Sequence, residues 1–242
     1  MIARARQHLR RIPRTVWALG FVSLFMDVSS EMIHALLPLF LTATLGASAI
    51  YVGIVEGVGE ATAAISKVFS GYLSDRFGRR KPLILIGYGL GALSKPLFAL
   101  AAVPAMVLTA RFSDRVGKGI RGAPRDALIA DVTTEDNRGA AYGLRQSLDT
   151  AGAFIGPLAA IGLMALLADN MRAVFWLALI PGLVAVAFVL FGVREEERVA
   201  PDTERPPIRL ADVETKLLRL FWIVVAIGVV ITLARFSEAF SF

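Results

Sequence analysis

The sequence predicts an all-α membrane protein, and three observations carry that reading. Of its 242 residues, 56% are hydrophobic, and the mean hydropathy is +0.63, beyond what soluble domains usually show. The apolar residues gather into runs that reach or exceed the roughly 20 residues a helix needs to cross a bilayer core. Most of the 26 Lys and Arg residues stand in short segments between those runs, as anchoring on one membrane face requires.

Composition also excludes classes. A pI near 10.1 is no sign of nucleic acid when the cations sit beside apolar runs and no binding motif accompanies them. With no Cys and only His8 and His34, disulfides, thiolate metal sites and His-rich zinc sites are ruled out. No metal site and no cofactor is assigned. The string GYGLGA at 87–92 lacks the spacing and preceding strand of a dinucleotide fingerprint, and RVGKGIRG at 115–122 lacks those of a phosphate loop. No nucleophile and base stand at a convincing spacing, so no enzyme is expected.

Residues 1–15 form a basic tail. Its arginines resemble the start of a signal peptide, but the apolar stretch that follows, Trp17 to Leu45, is far longer than the roughly 7–15 residues such a segment uses. It is expected to be retained as span 1, tilted or kinked at Pro38. Asp27, Glu31 and His34 recur on one face of it, and each ionised side chain at the bilayer centre would cost about 2.5–3.5 kcal/mol, so they must face protein or water. Span 2, about Ile50 to Tyr72, carries Glu56 and Glu60 four residues apart. Gly53, Gly57 and Gly59 are expected to let it approach span 1 closely, so that the carboxylates share one cavity.

The loop Gly71 to Lys81, GYLSDRFGRRK, is short and strongly basic. Span 3 follows over Pro82 to Ala101, with Lys95 able to snorkel or to pair with a carboxylate. The charged stretch Pro104 to Asp131 would escape a hydropathy window. Yet the basic segments on either side, 74–81 and 133–145, cannot both face the same side unless a further crossing lies between them. This is therefore span 4, with Arg111, Arg115 and Lys118 as a cationic stripe and Asp114 beside it; opposite charges about 4 Å apart offset much of each other's insertion cost. Span 5, about Gly139 to Leu167, carries Gly143, Gly152, Gly156 and Pro157. Span 6 runs over about Arg172 to Gly192, residues 193–216 read as a charged linker, and 217–242 hold a seventh span. Basic residues crowd the tail, the loop after span 2, the segment after span 4 and the linker, which places these and the N-terminus in the cytoplasm.

These motifs resemble those of the major facilitator superfamily, over about Val16 to Phe242. The loop after span 2 is similar to the superfamily signature at Gly71, Leu73, Asp75, Arg76, Gly78, Arg79 and Arg80. The resemblance implies that Asp75 and Arg79 make gating contacts on the cytoplasmic side. Arg115 and Gly119 resemble the second signature, with Lys118 in place of the usual glutamine, which implies a part for Arg115 in proton transfer. Gly143, Gly152, Gly156 and Pro157 resemble the antiporter signature, without its closing pair of glycines.

The fold implied is a six-helix bundle at 16–192, made of two inverted three-helix repeats, plus a seventh helix that begins a second half. The function implied is secondary transport in the plasma (inner) membrane: a proton-coupled exporter of a small molecule or drug. Asp27, Glu31, Glu56, Glu60 and Asp114 would bind protons and a cationic substrate in turn, with His34, Arg115 and Lys118 among the site candidates. The expected partners are the lipid bilayer, the substrate and protons, and no nucleic acid. A divalent-metal exporter is an alternative, since spans 1 and 2 supply four carboxylates and His34. So is a transport-inactive fragment. The short second half is read either as a truncated or frameshifted frame or as a native half-transporter that pairs with another chain.

Overall fold

The computed structural model describes residues 12–195 and Ile223. The chain divides into two units, 1–198 and 199–242, and all the described residues except Ile223 lie in the first. The rest of the basic tail, most of the linker and all of the seventh span but Ile223 fall outside the described residues.

The first unit is a bundle of helices. These are α1 (Arg14–Leu39), α2 (Ala49–Phe77), α3 (Lys81–Ala99), α4 (Pro104–Asp131), α5 (Glu135–Leu166), α6 (Met171–Leu177) and α7 (Leu179–Gly192). A π-helical turn, Phe40–Thr44, follows α1. Together α6 and α7 make one span of 22 residues. Among the described residues five helical spans are long and apolar enough to cross a membrane; the 28-residue α4 is as long but charged. Helices answer the demand that hydrocarbon makes on a backbone, because every amide is satisfied within its own segment.

Where the helices break, a donor or acceptor is missing. Pro38 lies inside α1 and has no N–H for the preceding turn; the chain passes through it and loosens into the π-turn, where the Thr42 hydroxyl donates to the Pro38 carbonyl at 2.9 Å. The break between α6 and α7 falls at Ala178, just before Pro181. The Ala178 carbonyl is recovered by the Ser29 hydroxyl of α1 at 2.6 Å. The charged segment after α4, with span 5 expected from about Gly139, is helical from Glu135 onward. Its charges stand on the first turns of α5, with Glu135 and Asp136 at the end that favours negative charge.

Packing departs from one expectation. α1 and α2 do not lie along one another: α2 packs on α4, and α1 packs on α5 and α7, while α3 fills the space between α4 and α7. The glycines that set the helix contacts are chiefly on α3, α4 and α5. A Cβ at Gly87 or Gly117 would strike the other's carbonyl oxygen at 2.7 and 2.6 Å, so α3 and α4 touch backbone to backbone, as small residues permit in membranes. A Cβ at Gly119 would strike Ser66 and the Ala63 carbonyl of α2. Gly57, in contrast, faces open space.

Two apolar clusters form the core. One holds Ile33, Leu37, Phe40, Phe98, Val107 and Phe175. The other holds Val16, Leu19, Ile84, Tyr88, Ile129 and Val189. The polar and charged residues of α1, α3 and α4 lie in the layer between them, at 27–31, 95 and 111–126.

The basic loop is a tight corner. Gly78 ends α2 with φ +64°, in the left-handed region where glycine carries no steric cost. Its N–H donates to the Ser74 carbonyl at 3.2 Å. Arg80, 7% exposed, forms a 2.6 Å salt bridge with Asp131 at the end of α4 and lies 3.9 Å from Asp75. Burial pulls its guanidinium below the ordinary arginine range, while the Asp75 and Glu195 charges pull it back up. Glu195, assigned from sequence to the linker, closes the corner. Its carboxylate accepts from the backbone N–H of Arg80 and, at 2.9 Å, from that of Lys81, so it caps the positive end of α3. Glu195→Ala is expected to lower stability by about 1 kcal/mol, read as a fall in the thermal midpoint in detergent; an unchanged midpoint would remove Glu195 as the cap.

Candidate functional site

The charged layer contains one sealed ion pair, one branched network and one open cavity. The sealed pair is Lys95 with Asp114, at 2.9 Å and with side chains 1% and 3% exposed. The Lys95 ammonium also donates to the Ser30 hydroxyl at 3.0 Å, and the Ser94 hydroxyl donates to Asp114 at 3.3 Å. Asp114, a sequence candidate for substrate or proton, is thus held between α3 and α4 and does not line the cavity.

The network joins α1, α2 and α4. His34 is bonded through Nδ1 to Glu31 at 3.2 Å, one turn earlier on α1. Its Nε2 faces the guanidinium groups of Arg111 and, at 3.1 Å, Arg115. Two guanidinium donors on Nε2 require that nitrogen to accept, so the tautomer carries its proton on Nδ1 and donates it to Glu31. Arg111 in turn reaches Glu56, and Arg115 reaches Glu60 at 2.9 Å. The cationic stripe of α4 therefore gathers the carboxylates of α1 and α2 although those helices do not lie along one another. Gly59 is needed here, since a Cβ would meet both arginine side chains at 3.2–3.3 Å.

The cavity has a volume of about 450 Å³ and lies among α1, α2, α4 and α5. Its acids are Asp27, Glu31, Glu60 and Asp149, and its bases are Lys67, Lys118, Arg121, Arg125 and Arg145. Asp27 and Asp149 face each other within hydrogen-bonding reach. Arg145, one turn before Asp149, holds it at 3.0 Å.

The approach of α5 to α1 depends on glycine. A Cβ at Gly152 would meet the Leu24 carbonyl and, at 3.0 Å, the Asp27 Cβ; one at Gly156 would meet the Glu31 Cβ at 2.6 Å. These two glycines thus sit directly behind the two carboxylates that α1 sends to the cavity. Gly143 meets nothing within 4 Å, and Pro157 continues the same helix.

Of the sequence candidates, Asp27, Glu31, Glu60 and Lys118 line the cavity. His34, Arg115 and Glu56 belong to the network beside it. Gly71, Asp75, Arg76, Gly78, Arg79 and Arg80 lie at the α2–α3 corner, where Arg80 is the buried arginine and Arg79 is exposed. Sequence reasoning passed over Lys67, Tyr88, Arg125, Arg145 and Asp149. The signal for the last pair was present: Arg145 and Asp149 stand four apart on a span whose glycines mark its packed face. Among the described residues no group of three or more His, Asp or Glu side chains is placed to hold a metal ion.

The family model described as Major Facilitator Superfamily matches residues 19–242. The chain belongs to the Major Facilitator Superfamily. Like the other members of that superfamily it is an integral membrane protein. It is 30% identical over 232 residues to an uncharacterized MFS-type transporter of Methanocaldococcus jannaschii, a match that covers 96% of this chain and 56% of that protein. It is 33% identical over 151 residues to the multidrug resistance protein MdtH of Proteus mirabilis, covering 62% of this chain and 35% of that one. Among solved structures, a crystal structure of the peptide transporter POT superposes with a TM-score of 0.68 at 19% identity, over 92% of this chain and 46% of that one. The chain spans about half the length of the relatives it matches.

Proposed function

We propose that this superfamily member acts in secondary active transport, as a proton-coupled exporter of a small molecule rather than an enzyme, from the plasma membrane with its N-terminus in the cytoplasm. The observation that carries the coupling is the facing pair of carboxyls, Asp27 on α1 and Asp149 on α5, at the wall of the cavity. Two carboxyls hold a hydrogen bond between them only with a proton in it. A cavity ligand or a movement of α5 changes how readily that proton stays, and differential affinity of this kind is what drives a conformational cycle. The name of the MdtH relatives supports export of drug-like compounds. Alternating access needs a second body to rock against; in this reading a second half-transporter chain or further sequence supplies it. Of the groups a metal exporter would use, Glu56, Glu60 and His34 are engaged by Arg111 and Arg115 and Glu31 is bonded to His34, so the small-molecule reading is the one the geometry favours.

The test is proteoliposomes carrying a pH gradient, with fluorescein and ethidium as probes of opposite charge. Flux of at least one probe is expected to dissipate the gradient, and Asp27→Asn is expected to reduce that coupled flux to background. Flux that ignores the gradient would defeat the coupling, and no flux of any probe would defeat the transport reading of this chain.

A further inference from the structure

The pairing inside the cavity decides which charges are left for a ligand. Its acids are occupied. Glu60 is held by Arg115 at 2.9 Å, Asp149 by Arg145 at 3.0 Å and Glu31 by His34 at 3.2 Å, and Asp27 faces Asp149. Its bases are not. Lys67 and Lys118 line the cavity, and their ammonium groups make no hydrogen bond or salt bridge to any described residue. Lys118 feels Glu60 and Asp27 on one side and Arg115 and Arg121 on the other. Arg121, 5% exposed, has neutral partners: it donates to the Gly87 carbonyl at 3.2 Å and lies 4.6 Å from the centre of the Tyr88 ring.

The placement of the lysines is built into the helix contact. Gly119 lets α2 come down on α4, and the stem of Lys67 then lies across Gly122, where a Cβ would be 3.7 Å from its Cδ and Cε. Lys118 stands one turn before Gly122 on the same face of α4. Two unpartnered ammonium groups from two helices thus reach one cavity, with a buried guanidinium behind them. An added cation would meet like charge at this wall and find each carboxylate already engaged.

We propose that the cavity binds an organic anion, seating a carboxylate or phosphate ester group between Lys67 and Lys118 with Arg121 behind, and that such anions are the substrate class of the transporter. The word substrate rests on the transport reading above; the binding does not. A cavity of about 450 Å³ takes a drug-sized molecule. This replaces the cationic substrate that the acidic residues of spans 1 and 2 suggest when read without their partners.

Equilibrium binding tests it without any gradient. The purified chain in phosphatidylcholine nanodiscs is titrated against fluorescein, an anion, and ethidium, a cation, by fluorescence anisotropy. Saturable binding of fluorescein, with ethidium at least about tenfold weaker, is expected; removal of one charge-assisted hydrogen bond costs about tenfold or more in affinity, so Lys67→Gln and Lys118→Gln should each weaken fluorescein by about that factor. Lys67→Arg should retain binding, which separates lost charge from lost fold. Tighter binding of ethidium than fluorescein would overturn the proposal with no variant needed, as would wild-type affinity in both glutamine variants. Repeating the titration with phosphatidylglycerol in the disc separates the two sources of anion: unchanged affinity supports a soluble substrate, and competitive loss would overturn it in favour of a lipid headgroup. Binding without flux in proteoliposomes would leave this proposal standing and defeat the transport reading alone.

Discussion

Asp114→Asn is expected to destabilise the bundle by about 3–5 kcal/mol, the usual cost of leaving a buried charge without its partner. The reason lies in what surrounds the site. Lys95 is 1% exposed and its ammonium has one ion-pair partner, Asp114, besides the neutral Ser30 hydroxyl. With Asp114 neutral, Lys95 would remain close to the buried Arg111 and Arg121 with no nearby carboxylate to balance it. The reverse change is milder. In Lys95→Met the Asp114 carboxylate still has Arg115 at 3.9 Å and the Ser94 hydroxyl at 3.3 Å. The double variant Lys95→Met with Asp114→Leu should recover most of the loss, because apolar replacement of both members of a buried pair is often neutral or better. Thermal unfolding in detergent, followed by tryptophan fluorescence, reads all three. The expected order of midpoints is wild type and double variant highest, Lys95→Met lower, and Asp114→Asn lowest by roughly 10 °C. Equal midpoints for the two single variants would show that Arg115 does not support Asp114, and a double variant as unstable as Asp114→Asn would show that the pair itself contributes little.

The sequence disclosed what depends on order along the chain, and not what depends on which faces meet. The helix α4 was legible although hydropathy fails on it, because two basic segments expected on one side call for a further element between them. The corner at Gly78 was legible because its residues are local to one turn. The sharing of the α1 and α2 carboxylates was harder: it was expected through direct contact of those helices, and the structure achieves it through Arg111 and Arg115 on α4. Glycines at 57 and 59 on α2 look alike in sequence, yet one faces open space and the other faces two arginine stems. Glu195 was out of reach for a different reason. Its role depends on α7 ending beside the N-terminus of α3, a contact across more than 100 residues that no local pattern encodes. Lys67 was passed over because an isolated charge on a span declares its importance only once its neighbour is known.

The glycines of α5 give the second large effect, and they separate packing from pattern. All of Gly143, Gly152 and Gly156 fit the antiporter-like spacing, so a reading by motif gives them equal weight. The structure does not. At Gly156 a Cβ would lie 2.6 Å from the Glu31 Cβ, 3.0 Å from the Val28 carbonyl oxygen and 3.2 Å from the Met32 amide nitrogen, and backbone cannot yield as a side-chain tip can. Gly156→Leu must therefore force α5 away from α1, at a cost of about 1–3 kcal/mol or more. The same displacement would carry Asp27 away from Asp149, so it should abolish gradient-driven flux even where the protein still folds. Gly152→Leu should behave alike, since its Cβ would enter the Leu24 carbonyl and lie 3.0 Å from the Asp27 Cβ. Gly143→Leu, with open space around it, should leave stability within about 0.5 kcal/mol of wild type. Midpoints in detergent and gradient-driven flux in proteoliposomes measure the two consequences. If Gly143→Leu proved as harmful as Gly156→Leu, the seam between α1 and α5 would not be what these glycines serve. If Gly156→Leu kept both its stability and its gradient-driven flux, the close approach that sets Asp27 against Asp149 would be refuted.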